Sequence, residues 1–276
     1  MFTLNCKGKL MAIEKPLVMG IINFTGDSFY EGSRMKTTEA VLEKSTQMLS
    51  EGADILDLGA QTTKPGSTRI SADEELKKII PAIEKILQKY PETIISIDTY
   101  HAKVAAASIE AGARIINDIS AGTLDKDMIP TVGELKVPYI CMHMQGTPQT
   151  MQKKPVYGNP VQEILDFFID KINQCKQAGI TDVIIDPGFG FGKTIAHNFV
   201  LLKNLGVFKM LDRPILAGLS RKSTIYKTLG IPVNDALNGT IVMHTLALQN
   251  GADILRVHDV KEARQAITLL NKYCEA

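Results

Sequence analysis

The sequence lacks the features that mark several common classes of protein. Its charges nearly balance, with 31 Lys and Arg against 30 Asp and Glu, so there is no basic excess to neutralise a nucleic-acid backbone. No run approaches the roughly 18 apolar residues of a membrane-spanning helix. The amino-terminal stretch MFTLNCKGKL has no apolar core of the kind that a signal peptide needs. These absences predict a cytoplasmic enzyme that binds neither nucleic acid nor a membrane.

Paired cysteines are also lacking. The four cysteines are scattered along the chain without any CxxC spacing: Cys6, Cys141, Cys175 and Cys274. Such scattering argues against both a structural zinc site and a disulfide framework. A reducing compartment is the environment that fits this pattern best.

Short apolar runs alternate with helical patterns along the chain. The stretch 93–120 shows the unit most clearly, because two isoleucine-rich runs enclose a helix and end on Asp98 and Asn117. Eight such runs predict strands, at 18–23, 55–59, 94–98, 115–118, 139–143, 183–186, 215–218 and 254–257. Eight strands alternating with helices favour a closed (β/α)8 TIM barrel over an open sheet. The length of 276 residues fits one such barrel, so we expect a single domain over residues 1–276.

Helix boundaries carry their own signals. One pattern recurs four times: a helix ends among small residues at a glycine, and a buried strand follows. The glycines are Gly52, Gly112, Gly179 and Gly251. The sequence SADE predicts a capping box that starts a helix at Ser71. Residues 1–16 precede the first barrel strand, and KGKL predicts a short amino-terminal hairpin that closes the barrel at its amino end.

Polar side chains stand where the predicted strands end. They are Asn23, Asp57, Asp98, Asn117, His143, Asp186, the run 220–222, Arg256 and His258. Any one of them could cap a helix or pair across the barrel mouth. As a ring they predict a ligand site, because ligands bind at the carboxyl ends of barrel strands. Asp98, Asn117 and Asp186 suit a planar heterocycle, whereas Lys222, Arg256 and His258 suit a phosphate.

The run GFGFGKT at 188–194 resembles a phosphate-binding loop. The Walker spacing requires glycine at position 187, where Pro187 stands. The run is therefore not a Walker motif, and its third glycine comes one residue too early for GxGxxG. We expect its glycines to let the backbone approach a ligand.

Eight ordered motifs between residues 17 and 260 resemble those of the dihydropteroate synthase family. They are NFTGDSF, TTKPGS, SIDTY, INDIS, MHMQGTP, DPGFGFGKT, SRKS and RVHDV. The resemblance implies a (β/α)8 barrel that joins p-aminobenzoate to 6-hydroxymethyl-7,8-dihydropterin diphosphate. The products would be 7,8-dihydropteroate, on the route to folate, and diphosphate. Membership would also imply sulfonamide targeting and, usually, a homodimer formed through the later helices.

The resemblance assigns roles to residues of this chain. Asp98, Asp186, Lys222 and Arg256 would act in catalysis. The pterin would lie among Asp98, Asn117, Asp186 and Lys222, with Met142, Phe191 and the plane of Arg256 against its ring. Asn23, Thr63, Arg256 and His258 would hold the diphosphate, and Asn23 would bind Mg²⁺, which neutralises charge on the leaving group. Phe29, Lys64, Pro65, Lys222 and Ser223 would frame the p-aminobenzoate.

The chain departs from the family's usual pattern in two loops. Gly26 stands where Pro is usual, Gln61 where Glu is common, and Lys64 where Arg is common. The Lys64 ammonium is a mobile point charge, whereas the arginine guanidinium can bind an anion through two parallel hydrogen bonds. The substitution therefore predicts altered binding of the arylamine. Gly26 removes the restraint that a proline would place on its loop.

Two other functions fit parts of the pattern. A pterin-binding methyltransferase that acts on methyltetrahydrofolate would share the pterin-binding strand ends, but SRKS and RVHDV have no obvious use without a diphosphate. A non-catalytic pterin-binding paralogue would keep the ring and lose turnover through its altered loops. Turnover with both substrates separates the three hypotheses.

Overall fold

The computed structural model of the chain describes residues 1–24, 37–61, 70–147, 151 and 155–276. Within them, eight parallel strands form a barrel in which each strand pairs with the next along the chain. These strands are β3 (Leu17–Asn23), β4 (Ile55–Gly59), β5 (Ile94–Asp98), β6 (Ile115–Asp118), β7 (Tyr139–Met142), β8 (Val183–Asp186), β9 (Leu216–Ala217) and β10 (Ile254–Val257). A parallel bridge between Ile185 and Ile215 closes the ring between β8 and β9. The predicted (β/α)8 barrel is confirmed.

Helices cover the outside of the barrel. Those in the described part of the chain are α1 (Thr38–Ser50), α2 (Ala72–Lys89), α3 (Ala102–Glu110), α4 (Met128–Leu135), α5 (Pro160–Gln177), α6 (Ile195–Lys203), α7 (Ser223–Leu229), α8 (Leu237–Gln249) and α9 (Val260–Glu275). Two short 3-10 helices lie at Leu205–Leu211 and Val233–Asp235. The outward side chains of the strands and the inner faces of the helices share one large apolar core.

Helix ends follow the local sequence signals. The Ser71 hydroxyl accepts a bond from the Glu74 backbone at 3.3 Å, and the Glu74 carboxylate accepts the Ser71 N–H at 2.9 Å. This confirms the predicted capping box at the start of α2. The four glycines of the recurring helix-end pattern all have left-handed φ values, between 84° and 112°. A side chain would strain the backbone there, so glycine ends each helix.

An antiparallel hairpin seals the amino end of the barrel, as predicted. It consists of β1 (Phe2–Cys6) and β2 (Lys9–Ile13), joined by a two-residue turn whose φ values are 52° at Lys7 and 88° at Gly8. Two positive φ values match the twist of a hairpin. Leu4, Cys6 and Ile13 lie over the lowest inward residues of the barrel strands.

No helix in the described ranges is long and apolar enough to cross a membrane.

Candidate active site at the carboxyl ends of the strands

Alternation along the strands directs several polar side chains toward the inside of the barrel. Successive side chains in a strand point to opposite faces, so the neighbours of each inward residue pack outward against the helices. In β6, for example, Ile116 belongs to the outer core while Ile115 lies at the sealed end of the interior. The inward polar residues at the strand ends include Asn23, Asp57, Asp98, Asn117, Asp186 and Arg256, each two or four residues after an inward apolar residue of its strand.

Arg256 joins two of these carboxylates. Its Nε donates to Asp57 Oδ2 at 2.7 Å, and its Nη2 donates to Asp98 Oδ2 at 2.6 Å. Asn117 Nδ2 donates to the same Asp57 oxygen at 3.1 Å. The guanidinium of Arg256 on β10 therefore links a carboxylate of β4 to a carboxylate of β5. These bonds fix the plane of the guanidinium at the mouth of the barrel.

The electrostatics of this cluster depend on how deeply it is buried. Burial raises the pKa of Asp98 to about 7, although Arg256 opposes the shift and Asp57 adds to it. For Arg256, burial lowers the pKa, but Asp57 and Asp98 outweigh that effect and hold it above its ordinary value. Arg256 stays charged, whereas Asp98 can gain or lose a proton near neutral pH.

Asp186 and Lys222 form a second polar group across the mouth. Asp186 Oδ1 accepts the Gly188 N–H at 2.7 Å, and burial raises the pKa of Asp186 while Lys222 lowers it. The Lys222 ammonium donates to the Phe189 carbonyl and lies 4.7 Å from the centre of the Phe191 ring. Burial lowers the pKa of Lys222 to about 8, against the opposing effect of Asp186. This lysine is a cation that titrates close to neutrality.

A small apolar cluster borders the polar ring. Tyr100, Ile119 and Met142 are buried together, and Phe191 is among the half-buried residues packed against them. Met142 is the inward residue at the end of β7, whereas His143 lies one position further on. The structure therefore brings together Met142 and Phe191, the two residues predicted to pack on a ring, beside Lys222.

Asn23, Ser220 and His258 lie at neighbouring strand ends, since β3 pairs with β10 and β10 with β9. His258 Nδ1 lies 2.9 Å from the Ser220 hydroxyl oxygen, and the His258 N–H donates to that oxygen at 3.2 Å. Burial lowers the pKa of His258 to about 3. Its imidazole is thus neutral at pH 7, so it can meet an anion by N–H donation but adds no positive charge.

Comparison with known proteins identifies this arrangement. Residues 19–258 match the family model described as pterin binding enzyme. The dihydropteroate synthase of Escherichia coli (strain K12) is 39% identical over 266 residues, which cover 96% of this chain and 94% of that protein. This chain belongs to the dihydropteroate synthase family.

Solved structures of the family agree with the fold over its whole length. The Yersinia pestis dihydropteroate synthase, in a sulfonamide drug complex, has a TM-score of 0.96 and 36% identity, with 100% of both chains covered. The Xanthomonas albilineans dihydropteroate synthase in complex with 7,8-dihydropteroate has a TM-score of 0.88 and 36% identity, again over 100% of both chains.

Several residues predicted from the family resemblance fall outside the described ranges. They are Phe29, Thr63, Lys64 and Pro65, together with the departure at Gly26. Ser223, predicted to contact the arylamine, is the first residue of α7 and follows Lys222 directly. Gln61, the third departure, donates through Nε2 to the Ile70 carbonyl at 2.9 Å and to Glu75 Oε2 at 3.0 Å.

Asp57 belongs to the predicted ring, but neither the strand-end pattern nor the family resemblance gave it an individual role. It is fully buried, and its Oδ2 meets both Arg256 and Asn117. Its Oδ1 is also buried and has no hydrogen-bond partner among the described residues. The signal was present, because one carboxylate interrupts an otherwise apolar strand at an inward position. An unpaired buried oxygen is costly, so Asp57 points to a polar partner supplied from elsewhere.

His143 shows the reverse outcome, because it belongs to the predicted ring but faces away from it. β7 ends at Met142, and alternation then turns His143 outward. Its ring meets Phe167 of α5 edge-on at 4.8 Å, and its Nδ1 lies 2.9 Å from Lys193 Nζ.

Proposed function

We propose that this chain condenses 6-hydroxymethyl-7,8-dihydropterin diphosphate with p-aminobenzoate, giving 7,8-dihydropteroate and diphosphate in folate synthesis. The observation that carries this proposal is the ring of Asp57, Asp98, Asn117, Asp186 and Arg256 in a member of the dihydropteroate synthase family. The complex of the Xanthomonas albilineans relative with 7,8-dihydropteroate supports the product.

The pterin is bound by acceptors and donors of the ring. Asp98 and Asp186 accept from the ring and exocyclic N–H groups of the pterin, and Asn117 can both donate and accept. Lys222 donates to a pterin acceptor, since it lies on the same side as Asp186. Met142, Phe191 and the plane of Arg256 would contact the flat faces of the ring.

The transfer step needs no protein nucleophile. The bond between the pterin methylene carbon and the diphosphate oxygen breaks, and its electron pair leaves with the diphosphate. The nitrogen of p-aminobenzoate attacks the methylene carbon and then releases a proton. Asp98 and Asp186 stabilise the positive charge that spreads over the pterin as the leaving group departs, which is why buried carboxylates suit this site.

The diphosphate lies toward β3 and β10 in this proposal. Arg256 supplies a positive charge, His258 supplies a neutral N–H donor, and Thr63 would add a hydroxyl. Phe29, Lys64, Pro65, Lys222 and Ser223 would surround the p-aminobenzoate. Lys222 can serve both substrates because its ammonium lies between Asp186 and the Phe191 ring.

Magnesium is the metal that we propose for the leaving group. The chemistry of the donor fits it, because Asn23, the last residue of β3, offers a side-chain oxygen. Mg²⁺ prefers oxygen ligands and is usually bound by one or two protein groups together with substrate phosphates and water. The ion would offset negative charge on the departing diphosphate. Asn23 would hold it beside Arg256.

Turnover with the pterin diphosphate and p-aminobenzoate, followed as diphosphate release, tests the function directly. A methyltransferase or a non-catalytic paralogue would bind pterin without releasing diphosphate. Calorimetry with a pterin ligand tests the site: Asp98→Ala and Asp186→Ala should each weaken binding by about 1.5 to 3 kcal/mol, the value of a charge-assisted bond. Asp166→Ala, an exposed change on α5, is the matched control. Unchanged affinity in both site variants would overturn the assignment.

We also propose a homodimer that forms through α8 and α9. Val242, Leu269 and Tyr273 are 59%, 73% and 74% exposed, which is a large apolar face for helices of an isolated barrel. A groove between the two helices is lined by Ile241, Thr245, Gln249, Glu262, Gln265, Ala266, Leu269, Leu270 and Tyr273. A second copy is the occupant, as the family resemblance implies. Sedimentation of Leu269→Glu should give a monomer, whereas Leu10→Glu, an exposed change in the amino-terminal hairpin, should not change the mass.

A further inference from the structure

The glycine-rich segment 187–193 lies against protein backbone. Gly188 and Gly192 have φ values of 69° and 62°. A Cβ on Gly188 would lie 1.9 Å from the His143 carbonyl oxygen, and one on Gly192 would lie 2.5 Å from the Gln145 carbonyl oxygen. The close approach that the glycines permit is therefore to residues 143–145 after β7. The segment is held as a fixed wall of the mouth.

Lys193 ties the end of this segment to β7. It is 3% exposed, and its Nζ lies 2.9 Å from His143 Nδ1, 3.3 Å from the His143 carbonyl and 3.1 Å from the Phe191 carbonyl. An ammonium carries three N–H donors, and these three acceptors match them. Nδ1 accepts only in a neutral imidazole, and burial together with the charge of Lys193 lowers the pKa of His143 to about 2. Burial lowers the pKa of Lys193 as well, while Asp186 opposes that shift.

A second lysine holds the same segment from inside the mouth. Lys222 donates to the Phe189 carbonyl and lies 4.7 Å from the centre of the Phe191 ring. The two lysines thus bond to alternate carbonyls of one short segment, Phe189 for Lys222 and Phe191 for Lys193. Any shift of the segment moves both the Phe191 ring and the carbonyl that receives Lys222.

We propose that Lys193 is a positioning residue, which acts through His143 and segment 187–193 to place Phe191 and Lys222 for the pterin. This inference rests on the proposed function and deepens it. It also gives the GKT part of the run at 188–194 a role other than phosphate binding. All three donors of Lys193 are directed to acceptors of the chain, so none remains for a phosphate.

Variants of both partners test the bond between Lys193 Nζ and His143 Nδ1. Lys193→Met removes the ammonium and keeps the length of the side chain, while Lys203→Met on α6 removes an exposed lysine as the control. His143→Leu removes the acceptor, and His143→Asn keeps an oxygen at the δ position. If Lys193→Met does not fold, the two His143 variants still decide the question.

We expect Lys193→Met and His143→Leu each to raise the pterin dissociation constant about five- to twentyfold. The variant that combines both changes should have a dissociation constant no higher than that of the weaker-binding single variant. His143→Asn should recover most of the affinity, and Lys203→Met should match the wild type. The alkaline limb of kcat/KM, which reports Lys222, should move to lower pH in His143→Leu because the ammonium loses a fixed acceptor. In Lys193→Met the loss of a neighbouring positive charge, which repels Lys222, opposes that movement.

Other outcomes separate the two proposals. Folded Lys193→Met and His143→Leu with wild-type pterin affinity and a wild-type alkaline limb would overturn the positioning role, whatever their melting temperatures. An equal loss in Lys203→Met would do the same, since it would show a general effect of charge. A wild-type protein that neither binds pterin nor releases diphosphate would instead overturn the proposed function.

Discussion

At the amino end of the barrel the inward positions of β4, β6 and β8 hold isoleucines, whereas the next inward positions hold polar side chains. Ile55 precedes Asp57, Ile115 precedes Asn117, and Ile184 precedes Asp186, with one outward residue between each pair. Along β10, Ile254 and Arg256 make the same change. One step of two residues, roughly 6.6 Å, separates an apolar layer from a charged one.

The two ends of the barrel have different roles. The isoleucines are buried beneath the hairpin, and full burial of such a side chain contributes about 1.5 to 3 kcal/mol to folding. The charged layer costs desolvation energy that its ion pairs only partly repay, so it contributes little to stability. Its arrangement is explained by a ligand.

Arg256→Met should cause the largest loss. It removes the charge that bridges Asp57 and Asp98, and we expect diphosphate release to fall by a factor on the order of 10² to 10³. Arg114→Met, which removes an arginine near the hairpin at the amino end, should leave turnover within about twofold. Steady-state kinetics on both variants make the measurement. Equal losses would show that the two ends are not functionally distinct.

Ile184→Ala should lower the stability of the barrel and leave its active site intact. A fully buried isoleucine at the sealed end is lost, so the free energy of unfolding should fall by about 2 to 5 kcal/mol. The exposed change Ile169→Ala on α5 should alter it by less than about 0.5 kcal/mol. Urea denaturation measures both. Turnover of Ile184→Ala well below its melting temperature should stay near the wild-type value, and a selective loss of pterin affinity would contradict the separation.

Glu75→Gln removes a buried carboxyl near the mouth and should change how stability depends on pH. Burial raises the pKa of Glu75 to about 7, with Gln61 and Thr99 opposing, Asp98 adding to the shift and Lys78 reducing it. The folded state therefore holds a proton that the unfolded state releases, so wild-type stability should fall as pH rises from about 4.5 to 7.

The Glu75→Gln variant should lack that slope, which amounts to about 1 to 3 kcal/mol across the interval. Glu84→Gln, exposed on the same helix, should keep it. Denaturation at pH 5, 6 and 7 compares the three proteins. Parallel curves for the wild type and Glu75→Gln would show that Glu75 is ionised throughout.

The pH profile of kcat/KM should show the smallest effect, about tenfold per pH unit on each limb. Asp98 must be ionised to accept from the pterin, so activity should fall below its pKa of about 7. Lys222 must be protonated to donate, so activity should fall above its pKa of about 8. Asp98→Asn should remove the acid limb. The apparent pKa values of the two limbs belong to the coupled cluster of ionisable groups. A wild-type profile that is flat between pH 5.5 and 7.5 would contradict the assignment.

The sequence by itself determined the barrel and most of its polar mouth. Apolar runs marked all eight strands, and the inward positions of Asp98, Asn117, Asp186 and Arg256 follow from strand alternation. Ordered motifs also placed the chain in its family. These properties are local, because a strand's limits and the side to which each residue points depend on neighbours along the chain.

Only the tertiary structure decided which groups meet. The bridge from Arg256 to Asp57 and Asp98 joins residues more than 150 positions apart, and no local pattern specifies it. Whether His143 faced the mouth depended on which residues of β7 point inward. Ile140 and Met142 do, so the next residue, His143, points outward, and a shift of one residue would reverse this. The neutral state of His258 likewise follows from burial, a property of the packed barrel that the single residue does not carry.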